Sequence, residues 1–205
     1  MVKKFLLIIA LTFSFSLAKE FKPMNFKIKT VNGEVIDVTG TKNGLKVKGA
    51  EGKVLLVEFW GTHCPPCRFS IPHYIELKNR YKDKIEMLAF EVQQTPVEQL
   101  KKFVKSQGIN YKVFAQNENG QFGSYLGARA GWRGAIPYLI IFDTKGNVVD
   151  IKRGMVSAKY VNKVVEYLLN RDNKINTKTD NNNKENNNTK ENNNTKDKNS
   201  TTEKK

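Results

Sequence analysis

The chain has only two cysteines and two histidines among 205 residues. A disulfide-rich secreted scaffold carries many more cysteines, so that class is excluded. A mean hydropathy of −0.54 excludes a polytopic membrane protein. The one long apolar run, Phe5 to Leu17, is shorter than the ~20 residues that span a bilayer. No cysteine follows it, which excludes lipoprotein processing. Acidic residues are also scarce, 20 against 35 basic, for a net charge of +15. Clustered basic residues would suggest nucleic acid, but here the lysines scatter without a basic helix or an aromatic-basic stripe. No nucleic-acid partner is expected.

The two ends account for much of the length. In residues 1–18, Lys3 and Lys4 precede the apolar run and Ser16-Leu17-Ala18 closes it, the layout of a secretory signal peptide cleaved after Ala18. An uncleaved membrane anchor is the alternative. Residues 171–205 are almost wholly Asn, Lys, Thr, Glu and Asp, with Ile175 the only large apolar side chain. Such a segment cannot offset its ordering entropy by burial, so a disordered tail is expected. In it Asn187, Asn193 and Asn199 each follow an acidic residue by two places and precede a threonine by two. That pattern marks candidate glycosylation acceptors in an exported protein, although a tail repeating Asn-Asn-Asn-Thr also produces it by composition. Between the ends lie residues 19–170, with a net charge of +10 and enough chain for one packed domain.

Within that domain, Phe26 to Val31 and Glu34 to Val38 alternate around an Asn32-Gly33 turn, which predicts an N-terminal β-hairpin. Lys53 to Trp60 is a nearly continuous apolar run, as in a strand buried on both faces. Ile71, Tyr74, Leu77 and Tyr81 then mark an amphipathic helix interrupted by Pro72. Ile85 to Val92 predicts a strand. Thr95-Pro96-Val97-Glu98 has the form of a capping box opening a helix that Gly108 ends. Tyr111 to Ala115 predicts another strand. Ile136 to Phe142 and Val148 to Arg153 predict a hairpin, and Ser157 caps a last helix with Val161, Val164, Val165 and Leu168 inward. The predicted order is a β-hairpin, βαβαβ, then ββα.

The reactive side chains concentrate between the buried strand and the first helix, at Cys64-Pro65-Pro66-Cys67. There the first sulfur meets the helix N-terminus, whose dipole and free amides stabilise a thiolate, and the second lies one turn inside. That spacing suits thiol–disulfide exchange. Because Pro65 and Pro66 have no N–H, the nearest amide able to face Cys64 is that of Cys67, and a moderate depression of the Cys64 pKa is expected. Three other readings compete. A structural disulfide closing so short a loop is a poor staple. A metal site would have only Cys64, Cys67, His63 and His73 as soft ligands, and neighbouring His63 and Cys64 converge poorly, so no metal is expected. A peroxidatic cysteine needs no partner two residues away.

The segment Val57-Glu58-Phe59-Trp60-Gly61-Thr62-His63-Cys64-Pro65-Pro66-Cys67-Arg68, followed by Pro72, resembles the active-site segment of the thioredoxin superfamily. Gly134-Ala135-Ile136-Pro137-Tyr138 resembles its second signature, in which a cis-proline faces the dithiol. The signal segment, hairpin and Cys-Pro-Pro-Cys motif resemble the periplasmic TlpA/ResA-like branch. The resemblance implies an α/β thioredoxin-like fold, a central mixed sheet flanked by helices. It implies Cys64 as nucleophile, Cys67 as resolving cysteine, and Ile136 and Pro137 presenting backbone to an extended substrate. Trp60 would pack under the active-site loop, or be an ordinary core aromatic. Glu58, an acid within an apolar strand, would sit beneath the dithiol with a raised pKa and relay a proton to Cys67, unless strand phase turns it to solvent.

Two departures bear on subclass. Apocytochrome-reducing members of the branch usually carry a glutamate three residues after the second cysteine, where this chain has Ser70. The residue before the first cysteine is usually Trp, and here it is His63, able to stabilise the thiolate when charged or simply a solvent-exposed substitution. What the resemblance implies is a monomeric periplasmic reductase of protein disulfides, apocytochrome c among its substrates. It would need no cofactor beyond a redox-active Cys64–Cys67 disulfide, and a membrane thiol-electron transporter would recharge it. A redox-inert binding module or copper chaperone on the same fold is the alternative.

Overall fold

The computed structural model describes residues 21–172. The expected signal peptide, and the tail with Asn187, Asn193 and Asn199, lie outside the described residues.

Gly33, at a positive φ, turns the chain between β1 (Met24–Lys29) and β2 (Val35–Gly40), which pair antiparallel as the alternation predicts. The glycine-containing stretch that follows holds a further short strand, β3 (Leu45–Val47), so the hairpin is part of a three-stranded sheet. This small sheet docks on the main one at a backbone junction: the Leu45 amide donates to the Gly146 carbonyl at 2.9 Å and the Val148 amide to Asn43 at 3.0 Å.

The main sheet has five strands in the order β6-β5-β4-β7-β8. Its centre, β4 (Val54–Trp60), is buried at every position, as are β5 (Ile85–Glu91) and β7 (Tyr138–Phe142). The outer strands are β6 (Lys112–Ala115) and β8 (Val148–Arg153). β5 and β6 run parallel to β4 while β7 runs antiparallel to it, making the mixed sheet of the thioredoxin-like fold.

Because side chains alternate along a strand, β4 supplies both cores. Val54, Leu56 and Trp60 face α1 (Pro65–Tyr81), α2 (Val97–Ser106) and a C-terminal helix, α4, over 158–172. Leu55, Val57 and Phe59 face the small sheet and α3 (Gln116–Ala130). Pro72 lies inside α1 without ending it. Ser157 accepts from the Tyr160 amide at 3.3 Å and so caps α4, as expected.

Besides β3, two elements differ from the sequence-based reading. α3 is absent from the predicted order, because its sequence, QNENGQFGSYLGARA, has three glycines and weak helix formers. It stands on tertiary contacts instead: Phe122 and Leu126 enter the second core, and Asn119 bonds both backbone groups of Lys29, accepting at 2.8 Å and donating at 3.0 Å. Thr95 does not cap α2. The helix begins after Pro96 with no side-chain cap, since the Thr95 hydroxyl is committed to the buried Glu91 carboxylate at 2.9 Å.

Candidate active site

The dithiol loop leaves the end of β4 at Gly61, where a Cβ would stand 2.2 Å from the Gln93 Oε1. This close approach lets Gln93 Oε1 accept the His63 amide at 2.8 Å, fixing the loop to the segment after β5. Cys64, with extended backbone, is the N-cap of α1; Pro65 and Pro66 fill the first helical positions, where a missing N–H costs nothing. The Cys64 sulfur accepts from the Cys67 amide at 3.3 Å. That is the contact the two prolines leave available.

Cys64 and Cys67 are joined in a disulfide, with Cα atoms 5.3 Å apart. Cys64 retains 7% of its surface and Cys67 1%, so an incoming sulfur reaches Cys64 first. Pro65, Pro66 and Phe69 around them are exposed, Phe69 by 63%, an apolar rim beside the sulfur. Tyr138 pairs with Phe59, which brings Ile136 and Pro137 to the end of the sheet from which the dithiol loop departs. The Ile136–Pro137 peptide is cis, Pro137 is buried and Ile136 is half-buried.

Glu58 is inward. It shares the α1-facing side of β4 with Leu56 and Trp60, so the solvent-facing phase is excluded. Burial pushes its pKa up to about 8, partly opposed by the nearby Tyr74 hydroxyl, and its Oε1 has no hydrogen-bond partner among the described residues. Tyr74 lies on the same buried face of α1 as Cys67 and Ile71, two turns on from the resolving cysteine. Burial, then the Glu58 charge, push the Tyr74 hydroxyl well above its usual range, and Tyr111 is raised in the same way. The site thus holds a proton-binding carboxyl beneath the helix that carries both sulfurs.

Trp60 is not on a surface that a substrate can reach. It is 2% exposed, its ring centroid 5.8 Å from that of Phe103, so it is a core aromatic under the loop and not a substrate contact. Ser70, at the place where apocytochrome-reducing members carry a glutamate, is buried and donates to the Pro66 carbonyl at 3.3 Å. His63 is exposed beside Cys64, with Nδ1 3.0 Å from the Thr62 hydroxyl. Sequence reasoning missed Glu91, Gln93 and Thr95, which clasp the loop from behind. The available signal was an acid at the end of the second apolar strand, parallel to Glu58 in the first.

A sulfur at a helix N-terminus, a more deeply buried partner sulfur, an acid beneath and a cis-proline at the sheet end together define a thioredoxin-type dithiol site. The chain belongs to the redoxin family, whose pattern matches residues 18–169. It is 31% identical over 120 residues to the thiol-disulfide oxidoreductase ResA of Bacillus thuringiensis (strain Al Hakam), a match covering 58% of this chain and 64% of that protein. It is 25% identical over 146 residues to the ResA of Halalkalibacterium halodurans, covering 71% and 74% of the two chains. The first of these matches thus spans less than two thirds of the relative's length. Among solved structures, a thiol:disulfide interchange protein of the thioredoxin family from Chlorobium tepidum TLS superposes with a TM-score of 0.56 at 24% identity, covering 73% of this chain and 99% of that one. Among the described residues no helix is long and apolar enough to cross a membrane.

Proposed function

We propose that the protein is an exported thiol:disulfide oxidoreductase, acting as a monomeric reductase of protein disulfides. The observation that carries this is the asymmetry of the pair: Cys64 is the N-cap sulfur and keeps 7% of its surface, while Cys67, at 1%, is enclosed behind it. The Cys64 thiolate attacks a substrate disulfide, one substrate sulfur leaves and takes a proton, and a mixed disulfide forms. Glu58, as carboxylate, accepts the Cys67 proton; the Cys67 sulfur then attacks Cys64, the mixed disulfide breaks, and the second substrate sulfur leaves and takes a proton from solvent. The substrate gains two electrons and two protons, and the Cys64–Cys67 disulfide remains. Ile136 and Pro137 would hold the extended substrate chain by a short stretch of strand addition. A membrane thiol-electron transporter would return the enzyme to its dithiol form, and apocytochrome c is the substrate class that the resemblance of the motifs to the TlpA/ResA-like branch implies.

Insulin reduction by wild type, absent in Cys64→Ser, tests the chemistry. No turnover by wild type would leave a redox-inert module on this fold. Cys67→Ser expressed in the native host should accumulate mixed disulfides with the true substrates. Apocytochromes in that catch would support a maturation role, and a broad set of exported proteins would support general reduction instead.

A further inference from the structure

The segment after β5 holds a chain of hydrogen bonds that the dithiol reaction does not use. Glu91, the last residue of β5, is fully buried and stands in register with Trp60. Three donors converge on its two oxygens: the Gln93 amide at 3.1 Å, the Thr95 amide at 3.0 Å and the Thr95 hydroxyl at 2.9 Å. The Thr95 oxygen is also 2.8 Å from the Thr62 hydroxyl, and the Thr62 oxygen is 3.0 Å from His63 Nδ1.

A hydrogen count gives this chain a direction. A threonine hydroxyl has one hydrogen to donate. Thr95 gives its hydrogen to Glu91, so the Thr95–Thr62 contact uses the hydrogen of Thr62. Thr62 then faces His63 with lone pairs only, and Nδ1 must be the donor. The neutral ring therefore carries its hydrogen on Nδ1 and leaves Nε2 unprotonated. Nε2 makes no hydrogen bond among the described residues. His63 lines, with Arg68, Gln99 and Phe103, an open groove of about 340 Å³.

We propose that Glu91, Thr95 and Thr62 hold His63 in its Nδ1–H form so that Nε2 exchanges a proton with the substrate sulfur that leaves or arrives at Cys64. This rests on the oxidoreductase reading. In the reductive direction the Cys64 thiolate bonds to one substrate sulfur, the substrate S–S bond breaks, and the departing thiolate takes the Nε2 proton of the His63 imidazolium, leaving a thiol and a neutral ring. Solvent reprotonates Nε2. Nδ1 keeps its hydrogen in both states, so the ring loads and unloads without breaking the chain behind it. Arg68 of α1 is the other charged group lining the groove, and Cys64 is the next residue along the chain; Glu91 acts only through the two threonines. Glu91, Thr95 and Thr62 are positioning residues, and His63 is the proton donor.

Long-range ¹H–¹⁵N correlation spectra of the ¹⁵N-labelled full chain, at a pH where the ring is neutral, read the tautomer directly. Wild type should show His63 as Nδ1–H, Thr95→Val should shift it toward the Nε2–H form that free histidine favours, and Thr95→Ser should restore it. Thr62→Val, cutting the chain at its other hydroxyl, replaces Thr95→Val should that variant fail to fold. Kinetically, His63→Ala should slow reduction of an alkyl disulfide about tenfold or more. It should barely affect an aromatic disulfide such as DTNB, whose leaving thiolate needs no proton. An Nε2–H ring in wild type, or an equal loss on both disulfides, overturns the proposal while leaving the oxidoreductase reading intact. Failure of wild type to reduce either disulfide overturns both.

Discussion

The Cys67 amide reaches the Cys64 sulfur at 3.3 Å, so the more deeply buried member of the pair supplies the donor that stabilises charge on the more accessible one. Once the pair is reduced, the two thiols should therefore differ in reactivity as well as in access. Brief treatment of the reduced protein with iodoacetamide should alkylate Cys64 at least about tenfold faster than Cys67. Peptide mass spectrometry reads the ratio, and equal labelling would reject the order of attack.

Glu58 should give the oxidised protein a pH-dependent stability. Below the ordinary value of 4.5 its carboxyl is protonated whether the chain is folded or not. Between there and about 8 the folded state keeps a proton that the unfolded state has lost, so stability falls as pH rises and levels off above the folded value. The full drop is on the order of 5 kcal/mol. Glu58→Gln should lack this slope in urea unfolding across the same range. Parallel curves for the two proteins would mean that Glu58 is ionised in the folded state.

Asn119 ties α3 to β1 by imitating a strand neighbour, accepting from the Lys29 amide and donating to its carbonyl. Asn119→Ala should destabilise the fold by about 1–3 kcal/mol through the loss of those partners. Thermal unfolding measures it. Insulin reduction per folded molecule should stay unchanged, because the contact lies on the face of the sheet away from the dithiol.

Two glycines should respond in opposite directions to the same substitution. Gly123, in the interior of α3, borders open space: a Cβ there would have no neighbour within 4 Å, and Gly123→Ala should stabilise by up to about 1 kcal/mol. At Gly44 a Cβ would stand 2.0 Å from the Gly146 carbonyl oxygen, and Gly44→Ala should cost about 2 kcal/mol or more by prying the small sheet from the β7–β8 turn. Chemical denaturation of the two variants side by side is the check.

The elements that sequence reasoning captured are those that local pattern dictates. The unbroken apolar run of β4, the alternation of β1 and β2, the period of α1 and the Ser157 cap of α4 all carry their own signal. The dithiol was legible for the same reason, since its function is written in adjacent residues. α3 was not, because its helicity comes from Phe122, Leu126 and Asn119 meeting partners distant in sequence. Thr95 misled because its hydroxyl had two acceptable uses, a helix cap or a buried carboxylate. Only the fold, by placing Glu91 four residues back at the end of β5, decided between them. The phase of Glu58 was equally undecidable in a strand that is apolar on both sides.

The sheet also divides labour. Glu58, both sulfurs and the Glu91 chain belong to the side covered by α1, α2 and α4, whereas the small N-terminal sheet and α3 cover a side made of aromatic and aliphatic packing. Random substitutions should therefore sort by the face they strike. Losses behind the sheet should appear as lower yields of enzyme with ordinary turnover, and losses in front of it as normal yields of sluggish enzyme. The strands of the sheet centre, β4, β5 and β7, contribute to both populations, residue by residue in alternation.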